Sequence, residues 1–277
     1  MQISFFIYRF LSIINSLATK IGLLKNDFFR KIIFLPCYFR YKKYLEDPFF
    51  SLTIVKPELF CGGSILDIGA NVGYTASVFS KIISPGYKIY SLEPEKNNFL
   101  LLSYIIRSFK LQDKVLPFNI AIGDEKNVVS LWRNINELSD SKILTNKFKQ
   151  GLKNLDNIEQ VSITTIDDFV KEVNVKLPIK FIKIDVQGYE FPVCEGMQET
   201  LLENPNAVIA VEYSPGELER LGFNHNQLID FFLDRKYFLY IVLKNGKLER
   251  AFSDRLDLLI KSRTYIDLLC SKIELIG

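Results

Sequence analysis

The run Ser64-Ile-Leu-Asp-Ile-Gly-Ala-Asn-Val-Gly-Tyr-Thr75 constrains this chain more than any other. Ile65, Leu66 and Ile68 form an apolar stretch too short for a helix, and glycine follows at once. Such a stretch predicts a buried strand entering a tight turn. Beyond the turn, Tyr74, Ala76, Val78, Phe79 and Ile82 return at helical spacing. Strand, glycine loop and helix in succession make the unit that binds nucleotide-like ligands. Gly69 and Gly73 allow the backbone to approach the ligand, and free N–H groups at the helix start face it. Ala70, Asn71, Tyr74 and Thr75 complete the expected loop contacts.

The residues around the loop narrow the ligand. Gly69-Ala-Asn-Val-Gly73 does not match the dinucleotide pattern G-x-G-x-x-G, because Asn71 and Val72 interrupt it. The Gly-Lys-Ser/Thr of a phosphate loop is missing as well. Asp67 stands two residues before the loop, where a carboxylate repels phosphates and suits an ammonium or sulfonium group. Ile89-Tyr-Ser-Leu-Glu93-Pro94 ends a second strand in a carboxylate placed to accept both hydroxyls of a ribose. An amino-acid moiety, a ribose and no phosphate describe S-adenosylmethionine. An ordinary strand-loop-helix with chance acids is the plainer alternative, and Glu93-Pro-Glu95 weighs against it.

Composition sets the outer bounds. The 277 residues suit one α/β domain with an extension, since such domains often take about 200–250. Apolar content of 48% supplies a core, and a net charge of +3 is too small for a nucleic-acid binder. Cys37, Cys61, Cys194 and Cys270 show no C-x-x-C, and His225 is the single histidine. Neither a Cys/His zinc site nor a disulfide framework is implied, and a reduced cytoplasm is the expected compartment.

Residues 1–55 read as an N-terminal amphipathic, basic-aromatic helical extension, and 56–277 as the ligand-binding domain. Phe5, Phe6, Ile7, Phe10, Leu11, Ile13, Ile14 and Leu17 are apolar, while Arg9, Lys20, Lys25, Arg30, Lys31, Arg40, Lys42 and Lys43 are opposed by Asp27. Arg9 leaves an apolar run too short to span a bilayer, and no basic stretch of a signal peptide precedes it. A helix of residues 1–45 lying at the inner membrane surface is one expectation. A helical cap, or a lid over the acceptor, is another. Pro36-Cys37 lies far ahead of the loop and reads as packing.

Residues 97–109 predict a helix and Val115–Ala121 a third strand, with Asn119, Ala121 and Asp124 as candidates to border an adenine. Val128–Leu131 and Val161–Thr164 read as added strands around a polar stretch at 133–160, and Ile166 opens a short helix. An insertion of this kind shapes a substrate pocket or is a plain surface excursion. Phe181–Asp185 and Ala207–Glu212 are two further buried strands that end in acids. Four strands therefore end in Asp67, Glu93, Asp185 and Glu212, and the carboxyl ends of an open parallel sheet are where ligands bind. Asn226–Asp234 predicts an amphipathic helix, and Phe238–Leu243 and Leu256–Ile260 predict strands around an Asn245-Gly246 turn.

At these residues the chain resembles the FkbM family of S-adenosylmethionine-dependent methyltransferases. The matching pieces are Asp67-Ile-Gly-Ala-Asn-Val-Gly73, Glu93-Pro94, Asn119-Ile-Ala-Ile-Gly-Asp124, Thr165-Ile-Asp-Asp168, Lys183-Ile-Asp-Val-Gln-Gly-Tyr-Glu190 and Val211-Glu212. They cover roughly residues 60–245, and residues 1–50 stand outside. Many members carry Glu where Gln187 stands, which removes a charge at that position. The resemblance implies a Rossmann-like class I fold: a mostly parallel seven-stranded sheet, last strand antiparallel, helices on both faces. It implies O-methylation, often of sugar or polyketide hydroxyls.

The expected division of labour follows. Asp67 and Glu93 hold the amino-acid and ribose parts of the cofactor. Asp185 lies beside the methionine moiety or the acceptor, with Glu190 and Glu212 around the acceptor. His225 is a candidate base by its pKa range, or else a turn or helix-cap residue. Asp185 with Glu212 could hold a divalent cation, though the spacing requires no metal. The Asn/Asp-Pro-Pro-aromatic motif of amine methylation is replaced by Asp185-Val-Gln-Gly188, which disfavours nucleic-acid amine chemistry. A small-molecule or glycan acceptor is the expected partner. A non-catalytic protein of the same fold, recruited through residues 1–45, is the alternative.

Overall fold

A computed structural model describes residues 48–134, 140–152, 155–252 and 264–276, together with Lys31, Leu35, Pro36, Phe39 and Leu256. The expectations of an amphipathic membrane helix and of packing by Cys37 lie almost wholly outside these residues.

The order of elements is α1 (Pro48–Val55), β1 (Ser64–Ile68), α2 (Tyr74–Phe79), β2 (Ile89–Leu92), α3 (Lys96–Ser108) and β3 (Val115–Phe118). A side branch follows, of β4 (Ala121–Ile122), β5 (Asn127–Trp132), β6 (Lys142–Ile143), α4 (Asn146–Gly151), β7 (Ile158–Thr164) and α5 (Ile166–Glu172). The chain returns through β8 (Ile179–Ile184), α6 (Glu190–Glu195), α7 (Gln198–Glu203), β9 (Val208–Tyr213), α8 (Pro215–Leu221) and α9 (His225–Asp234). It ends in β10 (Phe238–Val242), β11 (Leu248–Arg250) and β12 (Ile266–Ser271).

Seven strands in the order β3-β2-β1-β8-β9-β12-β10 form the expected mostly parallel sheet, and β12 runs antiparallel to both neighbours. An eighth, three-residue strand that the sequence did not announce, β11, hairpins onto the β10 edge. The last strand also lies later than expected. Leu256 is helical, and the strand-forming run is Ile266–Ser271. Both stretches are apolar, and pairing with β9 selects the second.

Strand alternation splits the core into two faces. Leu66, Ile68, Ile182, Ile184 and Val211 turn toward Phe169, Val193, Leu201 and Phe232 of the helices on one side. Ile65, Phe181, Val208 and Ala210 turn toward Phe49, Phe79, Leu102 and Ile106 on the other. Each large apolar side chain so buried stabilises the fold by about 1.5–3 kcal/mol before entropy is counted. Helix starts are fixed locally: Glu95 accepts from Asn98 N at 2.7 Å ahead of α3, and Asn224 with Gln227 forms a capping box ahead of α9.

The insertion forms its own four-stranded sheet, β4-β7-β5-β6, with Ala121, Leu131, Ile143 and Ile163 as a small core. It therefore supplies a wall rather than a loose excursion. Gly196 caps the end of α6, and glycine is required there because a Cβ at 196 would lie 2.0 Å from Gly123 O. Among the described residues no helix is long and apolar enough to cross a membrane.

Candidate active site

A cleft of about 330 Å³ opens at the carboxyl ends of β1, β2, β8 and β9, a size within the range of ligand pockets. Gly69, Ala70, Asn71, Tyr74, Thr75, Glu93, Ala121, Asp185 and Glu212 line it, as expected from sequence. Asp67, Gly73, Asn119, Asp124, Glu190 and His225 do not.

At one end the glycine loop is tied to the strand beside it. The amides of Gly69 and Ala70 donate to Leu92 O, each at 3.0 Å. Gly69 has φ +76, and a Cβ there would sit 1.8 Å from Asp185 O, so no other residue fits this approach of β1 to β8. Glu93 is 5% exposed and accepts from Asn71 N at 2.8 Å and Glu95 N at 2.9 Å. Burial pushes its carboxyl up to about 8, against those two backbone hydrogen bonds. Asn71 Oδ1 is buried in the cleft wall with no hydrogen-bond donor among the described residues. Ile120, Ala121 and Ile122 make an apolar strip next to Glu93 and Pro94.

Asp67, expected to hold the ligand's amino-acid part, is fully buried and does not line the cleft. Thr75 Oγ1 donates to its two oxygens at 2.9 and 2.8 Å, Ser91 Oγ lies at 3.5 Å, and Lys183 Nζ at 3.9 Å. Register explains this: Asp67 stands opposite Ser91 on β2 and Lys183 on β8, so the three side chains share one face. Asp67 therefore fastens the loop helix to the sheet from behind.

Lys183, the first residue of the Lys183–Glu190 stretch, lines the cleft between Asp67 and Asp185, with Asp185 Oδ2 at 3.1 Å. Burial alone would lower its pKa, but Asp185 and Asp67 outweigh burial and hold the ammonium above its usual range. Gln187 Nε2 bridges Asp185 Oδ1 at 2.9 Å and Glu212 Oε1 at 3.4 Å. Asp267 stands opposite Glu212 in the β9–β12 pairing and also faces the cleft. Burial first, then the charges of Asp185, Glu190 and Asp267, push the Glu212 carboxyl well above its ordinary value.

Four further expected site residues stand outside the cleft. Glu190 turns back on its own turn, where it accepts from Val186 N at 3.0 Å and Gly188 N at 3.0 Å. Burial pushes it up to about 7, and it belongs to the support of the Asp185 loop rather than to the acceptor's surroundings. His225 is the first residue of α9 and pairs with Glu219 at 2.8 Å outside the cleft, so its geometry does not suit a base. Asn119 spends its amide on Glu93 O and Pro94 O, both at 2.9 Å, and so orders the strand ends. Asp124 is exposed beyond the cleft. Among the described residues no group of three or more His, Cys, Asp or Glu is placed to hold a metal ion.

The insertion sheet closes the cleft with Leu131, Ser141 and Ile143, and Tyr189, Glu217 and Tyr265 complete the far end. Lys142, fully buried on β6, pairs with Asp140 and with Glu217 Oε2, the latter at 3.2 Å. Sequence reasoning missed Asp267 and Tyr265 because it placed the last strand too early. The signal was present in the apolar run Ile266-Asp-Leu-Leu-Cys270.

The profile of the Methyltransferase FkbM domain matches residues 67–239, from the Asp67 that precedes the loop to the start of β10. The chain belongs to the FkbM methyltransferase family. No curated protein matches it in sequence. Its backbone is similar to that of the methyltransferase FkbM from Methylobacillus flagellatus KT, at 13% identity and a TM-score of 0.49. That similarity covers 85% of this chain and 53% of the other, so the chain spans about half the length of that relative. It is also similar to an O-methyltransferase from Bacillus cereus solved in complex with SAH, at 14% identity over 81% and 80% of the two chains, TM-score 0.45. A third similar structure is the O-methyltransferase TomG of Streptomyces achromogenes, involved in tomaymycin synthesis and solved with SAM. It shows 10% identity over 82% and 80% of the chains, TM-score 0.48.

The cofactor of the FkbM family is S-adenosylmethionine. The cleft fits it: a buried carboxylate for ribose hydroxyls at Glu93, an apolar strip at Ile120–Ile122 for a flat base, and Asn71 Oδ1 awaiting a donor. Asp185 lines the same cleft and is a carboxylate that would face a methionine ammonium.

Proposed function

We propose that this FkbM-family protein transfers a methyl group to a hydroxyl of a small molecule or glycan. The observation that supports the reading most is the Asp185–Gln187–Glu212 constellation, beside the glycine loop and inside the cleft. Bound S-adenosylmethionine supplies an electrophilic methyl group on its sulfonium. A neutral hydroxyl must lose its proton as it is methylated, so it needs an acceptor oxygen within hydrogen-bond reach. Glu212 is suited to this because it lines the cleft beside Gln187 and Asp185, and burial with the charges of Asp185, Glu190 and Asp267 makes its ionised form more basic. Asp185, fixed by Lys183 and Gln187, aligns a hydroxyl or the cofactor's ammonium. The apolar side chains of the insertion sheet keep water from the reacting oxygen. Much of the acceleration then comes from alignment of acceptor and donor.

The test is methyl transfer from isotopically labelled S-adenosylmethionine to a panel of neutral glycosides, polyols and amines. A methyl ether as the product, with loss of turnover in Glu212→Gln, supports the reading. Methylation confined to amines would overturn it.

A further inference from the structure

The FkbM match begins at Asp67, yet residues well before it reach the back of the glycine loop. Leu35, 1% exposed, packs in one small cluster with Val72 of the loop and with Leu101 and Ile105 of α3. Phe39 meets the Tyr74 ring edge-on at 5.5 Å and the Phe109 ring at 5.9 Å. Lys31 Nζ sits 4.9 Å over the ring of Tyr104 on the same helix. Val72 and Tyr74 also line the cleft, so one pair of side chains carries both surfaces.

The loop between those surfaces needs support. Gly69, Asn71 and Gly73 all have positive φ, at +76, +49 and +90. The two glycines adopt such angles freely, but Asn71 does not, and a non-glycine persists there only where surrounding structure holds it. From the sheet side the constraint is hydrogen bonding: Gly69 N and Ala70 N to Leu92 O, and Asn71 N to Glu93 Oε2. From the outer side it is apolar packing, and Leu35 and Phe39 complete it. A Val72 stripped of Leu35 would face a void, and packed side chains follow the space they are given.

We propose that Leu35 and Phe39 are positioning residues for the cofactor. Through Val72 and Tyr74 they hold the Gly69–Thr75 loop in the form that presents Asn71 both to the ligand and to Glu93. Neither touches the cleft itself. Their effect falls on cofactor affinity, and they extend the working unit of this protein upstream of the family domain.

Calorimetric titration with S-adenosylhomocysteine tests this on the full chain. Leu35→Ala and Phe39→Ala are compared with Leu201→Ala, a buried truncation on the opposite face of the sheet. The two arm variants should weaken binding by about tenfold, one decade in Kd. Leu201→Ala should lower the melting temperature and leave Kd within about twofold. Amide exchange at residues 70–75 should speed up in the arm variants alone, and Phe39→Tyr, which keeps the ring, should restore wild-type affinity. Unchanged affinity in the arm variants, with melting temperature lowered as in Leu201→Ala, would overturn the proposal. Should an alanine variant fail to fold, Leu35→Val is read against the same control, and an unaltered Kd with unaltered exchange would overturn it equally.

Discussion

The two ends of the cleft are built from opposite kinds of interaction. At the cofactor end, polar groups are settled by the protein itself: Glu93 by two backbone amides, Asp67 by Thr75 and Lys183, the loop amides by Leu92 O. At the end where an acceptor would sit, Glu212 stands opposite Asp267, and the Gln187 amide bridges Glu212 to Asp185, which pairs with Lys183. One end is largely organised by hydrogen bonds within the protein, and the other holds charge repulsion that a bound hydrogen-bond donor or a gained proton can relieve. On the proposed reading, binding and chemistry fall in regions with different electrostatic states.

Substitutions can break this division. The largest effect is expected for Gly69→Ala. A methyl group 1.8 Å from Asp185 O, at a φ of +76, forces the loop off the strand ends, and S-adenosylhomocysteine binding should fall by about a hundredfold or more in calorimetry. Next, Glu212→Gln should lower methyl transfer by about 10²–10⁴-fold, the usual weight of a positioned base, while S-adenosylhomocysteine still binds. Loss of binding together with turnover would erase the distinction between the two ends.

The cofactor end also titrates. Burial pushes Glu93 up to about 8, and the ribose hydroxyls of the cofactor would donate to its ionised form. Binding therefore releases a proton below that pH. Affinity for S-adenosylhomocysteine should weaken as pH falls from 8, by at most about tenfold per unit. Glu93→Gln should flatten the profile, and a pH-independent Kd in the wild type would contradict the ribose assignment. The smallest effect is expected for His225→Ala, which removes a partner of Glu219 outside the cleft and should leave turnover within about twofold.

What the sequence disclosed follows the same line. The strand-glycine-helix unit, the acids at strand ends and the added strands were legible, because short-range patterns determine them. Side-chain direction was not. Whether Asp67 faces ligand or Lys183 depends on which strands become neighbours and in what register, which no local pattern records. Glu190 was misplaced for a related reason: its carboxylate folds onto amides two and four residues back, and only the turn geometry at Gln187 and Gly188, with φ +57 and +101, shows this. Asp267 was hidden by two competing apolar runs, of which partner pairing chose the later. The contact of Leu35 with Val72 joins segments 37 residues apart, beyond the reach of any periodicity.

The central claim is that the cleft at the strand ends is a site for S-adenosylmethionine rather than a dinucleotide. Calorimetric titration of the wild-type protein with S-adenosylhomocysteine and with NAD addresses it directly. The account predicts binding of S-adenosylhomocysteine alone, in the micromolar range, and its loss in a folded Glu93→Ala variant. Binding of NAD alone, or of S-adenosylhomocysteine with full affinity in Glu93→Ala, would contradict it.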